Sequence, residues 1–101
     1  MSKFGDIIGS DIPVLIDFYH FTAQEDIESK VMNTLKDVAT TFMGKARVVK
    51  IDIGKNAELV KALRIKTSPT YIVYKNNEML WRQSGSMDAQ ALIDILNEFV
   101  V

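Results

Sequence analysis

Short runs of β-branched and aromatic residues alternate along this chain with segments whose apolar residues recur every three or four positions. The first run, residues 14–19, has the length and composition of a buried strand. Residues 23–43 follow with an apolar stripe at helical spacing, and Gly44 ends that predicted helix. The later predicted elements are a strand over 47–53, a short helix after Asn56, strands over 70–74 and 79–84, and a helix that begins after Asp88.

The order of these elements constrains the topology of the sheet. Strands that are joined through a helix can pair in parallel, whereas the two strands joined by the short turn Asn76-Asn77 must pair antiparallel. We therefore expect an α/β fold with a central mixed four-stranded sheet and helices on both faces. A chain of 101 residues has the size of one ordinary domain, so we interpret residues 1–101 as a single domain.

Charge and hydropathy argue against two classes of partner. Twelve basic and thirteen acidic side chains leave a formal net charge of −1, which does not favour binding to nucleic acid or to a membrane surface. No apolar run approaches the roughly 18 residues that a membrane-spanning helix needs. Asp6 comes too early for a secretory signal, so the expected location is the cytoplasm.

The chain contains no cysteine and a single histidine, His20. Disulfides, zinc–thiolate sites, iron–sulfur clusters and cysteine nucleophiles are therefore excluded within these residues, and so is a multi-histidine metal centre. His20 could act as a general base only with a nucleophile in reach, and Thr22 is the nearby hydroxyl. We interpret His20 as an exposed loop residue, and we expect no cofactor.

Several short motifs follow one another in an order that is found in a known family. They are Asp17-Phe18-Tyr19 at a strand end, the strand over 48–52, Thr-Ser-Pro-Thr over 67–70, Lys-Asn-Asn-Glu over 75–78, and Gly85. Together they resemble the thioredoxin family over about residues 11–101. The resemblance implies a thioredoxin-like fold in which the peptide bond before Pro69 is cis. The family's first strand has no counterpart here, and residues 4–9 are expected to form a short helix.

The segment after the first strand departs from the family at its reactive residues. Thioredoxins have Trp-Cys-Gly-Pro-Cys there, whereas this chain has His-Phe-Thr-Ala-Gln-Glu-Asp over 20–26. Counted from the strand end, Ala23 and Asp26 match the two cysteines; counted back from the helix end, Glu25 and Glu28 match them. Dithiol exchange needs a thiolate that attacks sulfur and a second thiol that resolves the mixed disulfide. We therefore expect no dithiol–disulfide oxidoreductase activity in either register.

The first of these two registers agrees better with the local pattern. Thr22-Ala23-Gln24-Glu25 has the sequence of a capping box, with Thr22 at the N-cap and Ala23 at the first helical position. The acids Glu25 and Asp26 then lie in the first turn, where they fit the positive end of the helix dipole. We interpret them as residues that stabilise the start of the helix.

Asp17 is a carboxyl within an otherwise apolar strand. In the resemblance it matches the buried acid of the family, and Lys50 stands where the family places a lysine near that acid. We expect Asp17 to be largely buried and close to Lys50. The pair is interpreted either as a structural ion pair or as the remnant of a catalytic acid with a raised pKa.

The resemblance also implies a binding groove that does not need sulfur. In thioredoxins the backbone before the cis-proline pairs with an extended peptide of the client protein. We therefore expect Phe21, Thr22, Ser68, Pro69 and Gly85 to bind a protein or an extended peptide through strand addition.

Other interpretations remain open at this point. The chain could be a divergent member of the family with a non-thiol role in cell redox homeostasis. Asp26, Glu28 and His20 could instead form an acidic metal-binding or hydrolytic site, although they lack a loop of alternating oxygen ligands. Without the family's first strand, residues 48–53 would form a sheet edge, so the chain is expected to be a monomer or a homodimer paired through that edge.

Overall fold

The computed structural model describes the backbone of residues 3–20 and 25–100, and the side chains of residues 4–20 and 33–100. Within these ranges, four strands and four helices follow one another in the predicted order. Their bounds are α1 Lys3–Ile8, β1 Val14–Tyr19, α2 Glu25–Thr41, β2 Arg47–Asp52, α3 Ala57–Ala62, β3 Thr70–Lys75, β4 Glu78–Ser84 and α4 Ala89–Asn97. A 3-10 turn, Ile53–Lys55, connects β2 to α3.

The four strands form one sheet in the order β2-β1-β3-β4. β1 runs parallel to β2 and antiparallel to β3, and β3 pairs antiparallel with β4. The central strands β1 and β3 are buried along almost their whole length, which explains why both appear in the sequence as continuous apolar runs. The predicted mixed four-stranded sheet is therefore confirmed.

Helices cover both faces of the sheet. On one face, Leu15 of β1 packs with Val38 of α2 and Leu92 of α4. On the other face, Ile16 of β1 belongs to a second cluster, against which side chains of α1 and α3 pack. The ring of Phe4 in α1 also contacts the ring of Tyr74 edge-on, with centroids 5.6 Å apart. Two separate cores thus fix the sheet between its helices.

The helix ends follow the sequence signals, with one exception. Gly44 adopts φ +81°, the left-handed conformation expected after the end of α2. The Asp88 carboxylate accepts a hydrogen bond of 2.8 Å from the N–H of Ala91 and so caps α4. Asn56 stands at the N-cap of α3, but its side chain does not cap the helix because its amide donates to the carbonyl of Asp52 instead. The described part of α2 begins at Glu25, and the predicted start at Ala23 lies outside the described residues.

Candidate functional site

The loop that leads into β3 lies beside the end of β4. The peptide bond between Ser68 and Pro69 is cis, Ser68 is exposed, and Pro69 is half-buried. The carbonyl of Pro69 accepts a hydrogen bond of 2.9 Å from the N–H of Gly85. Gly85 has φ +102°, a backbone conformation that favours glycine. This hydrogen bond fixes Ser68 and Pro69 against the residue that follows β4.

Thr70 holds the same loop from within. Its side chain is fully buried, and its hydroxyl donates to the carbonyl of Thr67 at 2.8 Å. The same hydroxyl lies 3.2 Å from the hydroxyl of Ser84, the last residue of β4. A buried hydroxyl needs hydrogen-bond partners because water cannot reach it, so these contacts stabilise the loop in this conformation.

A third contact joins the loop to the end of β1. The backbone N–H of His20 donates a hydrogen bond of 2.8 Å to the hydroxyl of Ser68. The backbone N–H and C=O of Ser68 form no hydrogen bond within the described residues, although the residue is exposed. The loop therefore presents main-chain polar groups at a position fixed by its neighbours.

The predicted groove residues are brought together in part. Ser68, Pro69 and Gly85 lie in one cluster, whereas Phe21 and Thr22 lie outside the described residues. Sequence reasoning placed Ser84 in the turn beside the groove but missed two contributors, which are Thr70 and the backbone of His20. The second threonine of Thr-Ser-Pro-Thr was a local signal for the first of these, but nothing in the sequence paired it with a serine fourteen residues away.

The positions that match the family's cysteines are described only in part. Ala23 lies outside the described residues, and for Asp26, Glu25 and Glu28 the structure describes the helical backbone alone. The alternative acidic metal site therefore also lies largely outside the described side chains. Among the side chains that are described, no group of three or more histidines and carboxylates could hold a metal ion.

Among the described residues, which do not include Thr22, the side chain of His20 has no partner for general-base chemistry. Its side chain is exposed, and within the described residues it forms no hydrogen bond. A general base must be within hydrogen-bond reach of a nucleophile and is usually oriented by a third group. The described structure thus agrees with His20 as an exposed loop residue whose backbone, rather than its ring, takes part in the site.

Asp17 is fully buried in β1, and neither of its carboxylate oxygens has a hydrogen-bond partner within the described residues. Burial disfavours the charged form and raises the pKa of Asp17 from 3.8 to about 7. Tyr71 is its cross-strand neighbour on β3. Burial, and then the nearby charge of Asp17, raises the pKa of Tyr71 to about 12.

Asp17 and Lys50 are neighbours in the sheet, as expected, but their side chains form no hydrogen bond with each other. The two residues lie opposite each other in the register of β1 and β2. The carboxyl of Asp17 nevertheless accepts no hydrogen bond from Lys50. The physical reason is their different environments, since Asp17 is fully buried and Lys50 is exposed on a terminal strand. The acid is therefore shifted by desolvation, and no hydrogen-bonded ion pair offsets that shift.

One surface depression lies at the opposite end of the sheet. It has a volume of about 370 Å³ and is lined by residues 11–13, by Lys45 and Lys75, and by residues 99–100. None of these is a predicted site residue. Among the described residues, no helix has the length and apolar character required to cross a membrane.

Comparisons with known proteins agree with this fold. The chain is 27% identical over 96 residues to a thioredoxin of Rickettsia felis, an alignment that covers 94% of this chain and 89% of the relative. It is 32% identical over 99 residues to the chloroplastic thioredoxin Y2 of Arabidopsis thaliana, covering 92% of this chain but only 55% of that longer protein.

Solved structures give the same result for the fold. The structure of a thioredoxin from Malassezia sympodialis is similar with a TM-score of 0.79 at 21% identity, covering 97% of this chain and 84% of that one. A chloroplastic thioredoxin z is similar with a TM-score of 0.78 at 25% identity, covering 98% of this chain and 90% of that one. The thioredoxin family model matches residues 1–98. The chain therefore belongs to the thioredoxin family, although its 101 residues include no cysteine.

Proposed function

We propose that this domain is a peptide-binding member of the thioredoxin family that acts without dithiol chemistry. Dithiol exchange transfers the bond between sulfur atoms from one pair of thiols to another, and these 101 residues contain no thiol. What the site offers instead is a set of main-chain hydrogen-bonding groups. Its expected ligand is an extended segment of a client protein, and its expected place of action is the cytoplasm.

The observation that carries the proposal is the exposed backbone of Ser68. Its N–H and C=O take part in no hydrogen bond of the described residues, and the residue directly precedes Pro69 and β3, a strand that is paired on both sides. An extended peptide can donate to such a carbonyl and accept from such an N–H, as in strand addition to a sheet edge. Recognition of this kind reads backbone geometry and tolerates many client sequences.

The contacts around Ser68 favour binding because they fix the loop before a ligand arrives. The bonds to His20, Gly85 and Thr67 hold the segment from three sides. Ordering a flexible loop would reduce the affinity, whereas a loop already held in one conformation avoids most of that cost. The space beside Gly85 is open, since a Cβ atom at that position would meet no atom within 4 Å. A client side chain can therefore lie beside Pro69.

Target recognition has also been described for the chloroplastic thioredoxin z, whose structure is similar. That description supports a binding role for this scaffold. It does not identify a client for this chain.

The test is to select peptides from a random display library on the immobilised domain and to measure their affinity by fluorescence anisotropy. Ser68→Ala removes the hydrogen bond to the His20 N–H and should weaken binding about fivefold, the equivalent of one ordinary hydrogen bond. Ser10→Ala is the matched control, because it also removes one bond from a serine hydroxyl to a backbone N–H, at 3.2 Å to Ile12, on a loop away from the groove. Binding of a selected peptide should shift the amide signals of Ser68 and Gly85 in NMR spectra.

Two results would overturn the proposal. One is that the library yields no peptide above the background of an unrelated domain. The other is that selected peptides shift amides elsewhere and bind the Ser68→Ala and Ser10→Ala variants equally well.

A further inference from the structure

The segment that leads into the loop before β3 carries an excess of positive charge. Residues 59–87 include five basic side chains and one acidic side chain, that of Glu78, although the whole chain has a net charge of −1. Arg64 and Lys66 are exposed and flank Ile65, which is buried in the core on the α3 face of the sheet. Lys66 lies two residues before Ser68, so at most about 7 Å of chain separates the two residues.

Arg82 of β4 brings a third positive charge to the same place. Its guanidinium donates hydrogen bonds to the carbonyls of Leu63 and Arg64, the second at 3.0 Å. Residues two apart in a strand lie on the same face, so Arg82 shares a face of β4 with Ser84, whose hydroxyl contacts the loop. The three residues Arg64, Lys66 and Arg82, called the basic cluster below, therefore border one side of the loop.

The basic cluster has no acidic partner in the part of the chain that the structure describes. Glu78 pairs with Lys75 at the other end of β4. Asp88 caps α4, which packs on the opposite face of the sheet from α3. The carbonyls that bind Arg82 orient its guanidinium but carry no net charge. The cluster thus keeps three positive charges that a ligand can neutralise.

We propose that the peptide bound at Ser68 carries an acidic side chain, of Asp or Glu, that the basic cluster binds. This inference rests on the proposed function, because the main chain of Ser68 is what places the peptide beside the cluster. An extended peptide advances about 3.3 Å per residue, so the acid lies two or three residues from the one that pairs with Ser68. Main-chain pairing accepts many sequences, and the cluster adds a preference for acidic clients among them.

The first test changes the peptide and leaves the protein as it is. Library peptides that shift the Ser68 amide in NMR spectra should be enriched in Asp and Glu two or three residues from the pairing position. Replacing that acid by its amide in a synthetic peptide should weaken binding to the wild type about fivefold at low salt, since exposed charge pairs contribute modestly. The two peptides should bind equally at about 0.5 M salt, where such pairs are screened.

The second test changes the protein. The double variant Arg64→Gln/Lys66→Gln should bind the acidic peptide about fivefold more weakly than the wild type does, and the amide peptide equally well. Lys45→Gln/Arg47→Gln is the matched control, because it makes the same two changes at exposed residues at the opposite end of the sheet. It should bind both peptides as the wild type does. If a variant fails to fold, the comparison of the two peptides on the wild type decides.

The outcomes separate this inference from the function on which it rests. Peptides that depend on Ser68 but are enriched in apolar or basic residues, or in no residue type, would overturn the inference alone. An acidic peptide and its amide that bind the wild type equally at low salt would do the same, and so would equal binding of the acidic peptide to the two double variants. A library that yields no peptide, or only peptides that bind away from Ser68, would overturn both.

Discussion

The buried carboxyl of Asp17 makes the stability of this domain depend on pH. The acid is fully buried, has no hydrogen-bond partner among the described residues, and has its pKa raised by burial from 3.8 to about 7. In the unfolded chain it ionises near its ordinary value, whereas in the folded chain it keeps its proton until about pH 7. Between these values the folded state binds more protons, so the free energy of unfolding falls as the pH rises.

The magnitude follows from the two pKa values. Their difference, at about 1.4 kcal/mol per pH unit, corresponds to about 4 kcal/mol that is lost between pH 4 and pH 7 and remains lost above pH 7. That is a large part of the roughly 5–15 kcal/mol by which domains are stable. Asp17→Asn keeps the shape of the side chain and cannot ionise. We therefore expect this variant to be more stable than the wild type at pH 8 and to lose that advantage toward pH 4.

Guanidinium unfolding of the wild type and of Asp17→Asn from pH 4 to pH 8 measures this effect. The contributions of the other titrating groups cancel in the difference between the two free energies of unfolding. Asp37→Asn, the same change at an exposed position of α2, is the control. A carbon-13 NMR titration of the Asp17 carboxyl should give a midpoint near 7. A midpoint near 4, or a stability difference between Asp17→Asn and the wild type that does not change with pH, would refute the reasoning.

The remaining predictions concern single contacts. Tyr71 should titrate near pH 12 in an ultraviolet absorbance titration. Asp17→Asn should lower the pKa of Tyr71, because it removes the nearby negative charge and leaves only burial to raise that pKa. An unchanged pKa in this variant would contradict the effect of Asp17 on Tyr71. Asp88→Ala should cost about 1 kcal/mol of the free energy of unfolding through loss of the cap on Ala91, and an unchanged melting temperature in calorimetry would contradict this. Gly44→Ala should lower the free energy of unfolding by about 1–2 kcal/mol because Gly44 has a positive φ. Gly5→Ala, inside α1 with open space around it, should raise the free energy of unfolding by up to about 1 kcal/mol. Thermal unfolding in which both substitutions change the stability in the same direction would contradict this.

The sequence was sufficient for the elements and their order because two periodicities are easily distinguished. The continuous apolar runs of β1 and β3 indicate strands buried on both faces, and the helical spacing of α4 together with the cap at Asp88 places its start. Asn56 shows the limit of such signals. Its residue type favours an N-cap, but its side-chain NH2 group donates to the carbonyl of Asp52, and its side-chain oxygen accepts no hydrogen bond from the N–H groups of α3.

The site was predictable only where its residues belong to the motifs that resemble the family. Ser68 and Pro69 were identified from Thr-Ser-Pro-Thr, whereas the bond from the His20 N–H to Ser68 joins residues 48 positions apart. Such contacts depend on the strand register and on side-chain rotamers, neither of which a periodic pattern encodes. The relation of Asp17 to Lys50 illustrates the same point, because the register makes them neighbours while the different burial of the two residues determines what their side chains do.

The contacts that hold the loop before β3 do not involve any group that sulfur chemistry would need. The hydroxyls of Ser68 and Thr70 and the backbone of Gly85 fix the loop through bonds to the sheet. Replacing the reactive residues at the start of α2 leaves each of these bonds in place, because none of them is formed with that helix. The proposed binding through the main chain therefore requires no thiol, and a measured dependence on Ser68 rather than on α2 would separate this role from one inherited from catalysis.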